Sequence, residues 1–231
     1  MARIVKEHAV RRNEILDVAQ RLVYTKGYEQ MTIQDILDDL QISKGAFYHY
    51  FGSKQALLEA LIERIVEEIE HHLLPIVHDP HLRALEKLQR YFATVVRYRT
   101  AQKTFFLALL RVWYTDDNAI VRQKVRANLV KRVAHLFTVI IRQGIQEGVL
   151  TTSYPDQMGE VVVTLGLDFQ ETLGELLLSF EPKRDDMRRI ESTVAVYTEA
   201  LERVLGAPRD SLQLVDIEIL KEWFFSPRDN A

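Results

Sequence analysis

The chain has 231 residues, 47% of them hydrophobic and 27% charged, with a formal net charge of −3. That length can bury a core in one or two domains, and 9 glycines and 6 prolines are too few for a disordered or loop-dominated chain. No stretch free of Asp, Glu, Lys and Arg exceeds nine residues, far short of the ~20 apolar residues of a membrane-spanning helix, so no membrane contact is expected.

The first residues, MARIVKEHAVRR, interleave charge with apolar residues and lack the unbroken apolar core of a secretory signal. With no cysteine there is no disulfide framework, thiolate metal site or cysteine nucleophile, and the expected location is cytoplasmic. Helical spacing begins with Ile15, Leu16, Ala19, Leu22 and Val23, closed by Lys26-Gly27. Thr32 opens a second helix, with Asp35 three residues on in a capping-box pattern and Ile33, Ile36, Leu37 and Leu40 facing inward. Ser43 caps a short third helix whose apolar side is Ala46, Phe47 and Tyr50, and Gly52 breaks it. Ser53 caps a fourth, expected to run on Leu57, Leu58, Leu61, Ile62, Ile65, Ile69 and Leu73 until Pro75 stops it.

Longer helices follow, from about His81 to Arg99, Lys103 to Tyr114 and Asn118 to Gln146. Pro155 is expected to start a helix to about Phe180, and Pro182 another to about Leu205. The tail from Asp210 to Phe225 has Leu212, Val215, Ile219 and Trp223 at helical spacing and reads as one more helix. No run alternates with period two long enough to demand a sheet, so the expected fold class is all-α.

Charge is unevenly spread. Residues 1–54 carry 8 basic and 7 acidic side chains, and residues 55–231 carry 22 and 26. Arg3, Lys6, Arg11 and Arg12 face only Glu7, a basic arm suited to a polyanion. The informative stretch is TIQDILDDLQISKGAFYHYFGSK, residues 32–54. Two helices this short need a platform, and three helices so arranged present the last to a DNA major groove. Ser43, Lys44, Tyr48, His49 and Lys54 can donate to phosphate oxygens, and Gly45 lets backbone come close to DNA.

A Thr-capped helix, then ISKGAFYHYF, then GSK and a Leu-rich helix resembles the TetR family of bacterial transcriptional regulators over about residues 11–60. The resemblance implies a homodimer in which residues 1–54 form a three-helix, helix-turn-helix DNA-binding domain. Residues 55–231 would then form a larger helical bundle for ligand binding and dimerisation. By position it assigns Thr32, Ser43, Lys44, Gly45, Ala46, Tyr48, His49, Tyr50 and Lys54 to the DNA surface, and Phe47 and Phe51 to the core. One departure is Asp39-Leu40-Gln41, where the family pattern has small residues before the turn. The alternative for Tyr48 or Tyr50 is an ordinary packing aromatic, with Tyr50 standing evenly between core and phosphate.

In the larger domain, His71, His72, His78 and His81 stand near Glu67, Glu68, Glu70 and Asp79. These side-chain types ligate zinc or nickel, but two prolines interrupt the segment, and an exposed polar joint explains it better. No metal or cofactor is expected. Phe105, Phe106, Trp113, Phe137, Asp168 and Phe169 are the candidate lining of a pocket for a small, largely apolar effector. Asp168 and Glu171 either face inward to orient that effector or simply face solvent. Glycine-rich phosphate loops, nucleophile elbows and His-Glu-x-x-His pairs are absent, so an enzyme is not expected. The functional expectation is a repressor that binds a pseudo-palindromic double-stranded operator as a homodimer and leaves it on binding effector. The alternatives are a metal-responsive regulator and a helical scaffold without specific DNA binding. The dimer is expected through Val161, Val162, Leu165, Leu173, Leu176 and Leu177 with Ile190, Val194, Tyr197, Leu201 and Val204; the tail joins that interface, folds on its own domain or covers a pocket.

Overall fold

The computed structural model describes residues 2–179 and 186–225, with side chains from residue 8 in the first stretch and residue 187 in the second. Among them are ten α-helices and no strand. They are α1 (Ala2–Lys26), α2 (Ile33–Leu40), α3 (Lys44–Tyr50), α4 (Lys54–His78) and α5 (Ala84–Ala101). Then come α6 (Lys103–Trp113), α7 (Ala119–Gln146), α8 (Pro155–Leu178), α9 (Asp186–Leu205) and α10 (Ile217–Phe225). The chain divides into two compact units, one of residues 1–67 and 102–125, the other of residues 68–101 and 126–231. Only α4 and α7 contribute residues to both.

In the first unit the apolar stripe of α1 buries Ile15, Leu16, Ala19 and Val23 completely. α6, whose Phe105, Leu109 and Val112 are buried, packs against α1. Arg64 of α4 ties that helix to α1, donating to Asp17 at 2.6 Å and to the Leu16 carbonyl at 3.3 Å. Arg3 and Lys6 of the basic arm lie outside the described side chains.

In the second unit α7 and α8 are joined by charge as well as by packing. α7 carries six Lys and Arg and no acid, and α8 five acids and no base. Arg126–Glu171 at 3.2 Å and Arg142–Asp156 at 2.6 Å bridge them. Gly159 lets the two backbones meet, because a Cβ there would stand 2.3 Å from the Ala134 carbonyl oxygen. α9 in turn packs along α8.

Three expected boundaries are corrected. Pro75 does not stop α4, which continues to His78. Proline removes one amide donor but not the apolar drive, and the added turn buries Val77 fully. The buried Lys87 ammonium then donates to the Val77 carbonyl at 2.7 Å, satisfying the helix end. Second, α5 starts at Ala84 rather than His81. The His81 amide is taken by Asp79 Oδ1 at 2.8 Å and the Arg83 amide by Glu86 Oε2 at 3.0 Å, so the residues before Ala84 form a turn and cap.

Third, the tail is helical only from Ile217. Glu202 of α9, 5% exposed, accepts the backbone amides of Ser211 and Leu212 at 2.8 and 3.0 Å, which holds that segment in a non-helical path. Leu212 and Leu214 are both buried, a period-two pattern hidden inside apparent helical spacing. The expected starts and ends at Pro182 and Phe180 lie outside the described residues.

Candidate nucleic-acid interface

Thr32 caps α2 with both halves of a capping box. Its hydroxyl oxygen accepts the Asp35 amide at 3.1 Å, and its own amide and hydroxyl donate to Asp35 Oδ2 at 2.7 and 2.8 Å. Lys26 approaches the other Asp35 oxygen at 2.8 Å. The Lys26 hydrogen bond first, then the backbone and hydroxyl of Thr32, hold the Asp35 carboxyl down at about 2. Arg21 adds a second brace from α1 to α2 through Asp39 at 2.6 Å.

The departure at Asp39-Leu40-Gln41 leaves the turn intact. Gln41 itself adopts the left-handed conformation, φ 51° and ψ 43°, and its amide donates to the Leu37 carbonyl. The Ile42 amide donates to the same carbonyl at 3.1 Å. A residue with a Cβ thus occupies a position usually given to glycine.

Ser43 then caps α3, its hydroxyl oxygen accepting the Ala46 amide at 3.2 Å. As acceptor in that bond, the hydroxyl keeps its proton for an outward partner. α3 has one buried side, Phe47, fully enclosed and edge-on to Tyr48. Phe51 follows it into the core at 2% exposure. Ser43, Lys44, Gly45, Tyr48 and His49 are exposed, and Ala46 and Tyr50 are half-buried. The Lys44 ammonium lies 5.9 Å over the Tyr48 ring.

Lys54 stands at the start of α4, tied back to the loop before α2. Its ammonium donates to the Glu29 carbonyl at 3.2 Å and lies 4.4 Å over the Tyr28 ring, while the Tyr28 hydroxyl donates to the Lys54 carbonyl at 2.9 Å. Burial lowers the Lys54 amine from its ordinary value, with Glu29 and Asp35 acting in the opposite sense. Burial also pushes the Tyr28 phenol up to about 12. Lys54 therefore has a structural task beside any contact with phosphate. The sequence signalled neither this clamp nor the Lys26 brace, because both join residues whose spacing follows no helical period.

The nine expected DNA-surface residues all lie on α2, α3, α4 and their caps within the first unit. Thr32 is the one whose hydroxyl proton is already given to a neighbouring side chain.

The candidate effector residues divide between the units. Phe105, Phe106 and Trp113 belong to the first, and Phe137, Asp168 and Phe169 to the second. Phe105 and Phe106 lie 6.1 Å apart by ring centroid. Phe137 joins Tyr91 at 4.4 Å and Phe92 at 6.2 Å, an aromatic cluster between α5 and α7 that the sequence only partly marked. Phe169 is buried and meets Tyr197 of α9 at 5.3 Å. Asp168 is exposed and accepts a hydrogen bond from the Tyr197 hydroxyl. Glu171 pairs with Arg126, so both acids are engaged by neighbouring helices. His71, His72, His78 and His81 are exposed, and among the described residues no three His, Asp or Glu side chains are gathered to hold a metal ion.

Residues 15–61 match the model of bacterial regulatory proteins of the tetR family, and residues 111–192 match that of the tetracyclin repressor-like C-terminal domain. An uncharacterised HTH-type transcriptional regulator from the lacX 3' region of Lactococcus lactis is 41% identical over 63 residues, covering 27% of this chain and 32% of that protein. The match thus spans about a third of that relative's length. The HTH-type transcriptional repressor KstR2 of Mycobacterium tuberculosis is 26% identical over 155 residues, covering 64% of this chain and 73% of the repressor. In fold, the chain is similar to a TetR transcription regulator of Haloarcula marismortui, with a TM-score of 0.60, 18% identity and coverage of 86% and 97% of the two chains.

Proposed function

The chain belongs to the TetR family of bacterial regulators, and on that premise we propose that it represses transcription from a pseudo-palindromic operator and is released by a small effector. The observation that carries this is α3: seven residues, capped by Ser43, seated on Phe47 and exposing Lys44, Gly45, Tyr48 and His49. Such a helix has donors on its open side and its packing on the other, as a major-groove reader requires. Residues 1–54 act as the DNA-binding domain, with Thr32, Ala46, Tyr50 and Lys54 flanking the reading face. Residues 55–231 bind effector and dimerise. The site of action is the cytoplasm, where bacterial DNA lies, and the chemistry is binding rather than catalysis.

Two copies bind two half-sites about one helical turn apart, or a multiple of it. They associate through α8 and α9. Val161, Leu178 and Val196 are exposed there, whereas Val162, Leu176, Leu177, Ile190 and Leu201 are already buried within the chain. The contact therefore rests on the first set, with the half-buried Leu165, Leu173, Val194, Tyr197 and Val204.

Effector binds within the larger helical domain, and α4, which contributes residues to both units, carries the change toward α3. The ligand acts only by preferring the state that fits DNA less well.

Selection of duplexes from a random pool by the full chain, followed by affinity measurement, tests the DNA reading. A selected palindrome bound far more tightly than scrambled duplex is expected, and equal affinity at physiological salt refutes it. Lys44→Ala is expected to weaken both duplexes alike and to lower the salt slope by about 1 per protomer. A thermal-shift screen of small molecules and metal ions then supplies effector candidates. A true effector lowers DNA affinity by the factor by which DNA lowers its own, about 5- to 150-fold. A hit that binds equally with and without operator is not the effector.

A further inference from the structure

α1 starts well before Ile15, where the match to the family model begins, and its His8 lies against α3. The His8 ring is 4.6 Å from the Tyr50 ring and 5.5 Å from the His49 ring, centroid to centroid, and His49 and Tyr50 are 5.1 Å apart. His8 and His49 are exposed and Tyr50 is half-buried, so these rings form a ridge at the open, C-terminal end of α3 rather than a piece of core. Among the described side chains of α1, the first buried ones come farther along, at Ile15 and Leu16. One turn beyond His8 on the same helical face, Arg12 lies 5.4 Å over the Phe51 ring.

The dimensions place this ridge against DNA. A seven-residue helix is about 10 Å long, and the major groove is about 12 Å wide. With α3 lying across the groove, each of its ends, and anything beside the far one, meets a sugar-phosphate strand that bounds the groove. An imidazole there has an N–H to give a phosphate oxygen in either tautomer. We propose that His8 is a further DNA contact, donating from α1 to a backbone phosphate at the edge of each half-site. The contact rests on the DNA-binding reading above and adds a second helix to the footprint. It positions the protein without reading sequence.

The test uses the duplex selected by the full chain, a scrambled duplex of equal length, and two variants. His8→Phe keeps a ring against Tyr50 and removes the N–H. It is expected to weaken both duplexes by the same factor, about 3- to 10-fold. His8→Arg restores a donor with a fixed charge. It is expected to bind at least as tightly as the wild type, with a salt slope steeper by about 1 per protomer. Unchanged affinity in His8→Phe overturns the contact. So does a His8→Phe variant that loses only the selected duplex, since that outcome assigns His8 to orienting α3. A His8→Arg variant weaker than His8→Phe also overturns it. If the full chain selects no duplex, the DNA-binding reading fails and this contact fails with it.

Discussion

Gln41 is the residue at which local preference and the required turn disagree most. Its φ of 51° places a Cβ-bearing residue where the chain must reverse between α2 and α3. The left-handed conformation costs an L-residue roughly 1 kcal/mol or more. Gln41→Gly removes that cost but adds freedom to the unfolded chain. The expected net gain is about 0.5–1 kcal/mol, read as a higher urea midpoint with an unchanged m-value. A lower midpoint contradicts the assignment of strain.

Asp35 makes a different kind of residue-scale prediction, one of pH. Its carboxyl is held at about 2, chiefly by Lys26 and then by Thr32, so the folded state binds a proton there more weakly than the unfolded state does. The resulting stability is fully present above the ordinary carboxylate value near 4, and it is lost as pH falls through about 2. Asp35→Asn is expected to flatten that part of the acid limb in denaturation curves taken from pH 5 to 2. An acid limb identical to the wild type would show that the pairing with Lys26 and Thr32 contributes nothing.

Among the elements, the segment before α10 is held by two side chains from other helices. Glu202 accepts two amides while only 5% exposed, and Gln89 secures the same stretch by donating to the Ser211 carbonyl at 3.1 Å. Farther on, the Trp223 indole N–H donates to Thr100 at 2.9 Å, and Leu220 and Phe224 are buried. The tail folds on its own unit, one of the three courses open to it from sequence. Glu202→Ala strands two donors, and a buried unsatisfied donor costs about 1–3 kcal/mol. A loss of about 2–4 kcal/mol is expected, with hydrogen exchange at Leu212 accelerating before exchange in α7. Slow exchange at Leu212 in the variant would mean that the leucine side chains alone hold the segment.

At the scale of the whole molecule, the proposed dimer is what would give the operator its two-fold symmetry. A two-fold contact buries the same patch on both copies, so one substitution acts twice. Val161 is 39% exposed and Val196 60%, which lets a charge be placed at either without disturbing the interior of one chain. Val161→Glu with Val196→Glu is expected to convert the dimer to a 26.9 kDa species in sedimentation at micromolar concentration, with an unchanged helical spectrum. Operator affinity falls with it, because each half-site is then bound alone. A double variant that stays dimeric removes α8 and α9 from the interface.

Local chemistry sufficed for the all-helical class, the capping box at Thr32 and the caps at Ser43 and Ser53, since caps and helical periods involve residues within one or two turns of each other. The same was true of the buried face of α1 and the exposed face of α3. Tertiary structure decided whatever depended on a distant partner. Pro75 was absorbed because Val77 found a core and Lys87 reached its carbonyl from the next helix. Residues 211–214 left the helical path because Glu202 offered the amides of Ser211 and Leu212 a better acceptor than the next turn would have. Lys54 came to rest over Tyr28, and His8 beside His49, through packing between elements far apart in the chain. A sequence specifies short-range hydrogen bonds almost directly, but a contact across 40 residues exists only once the helices carrying it have been packed.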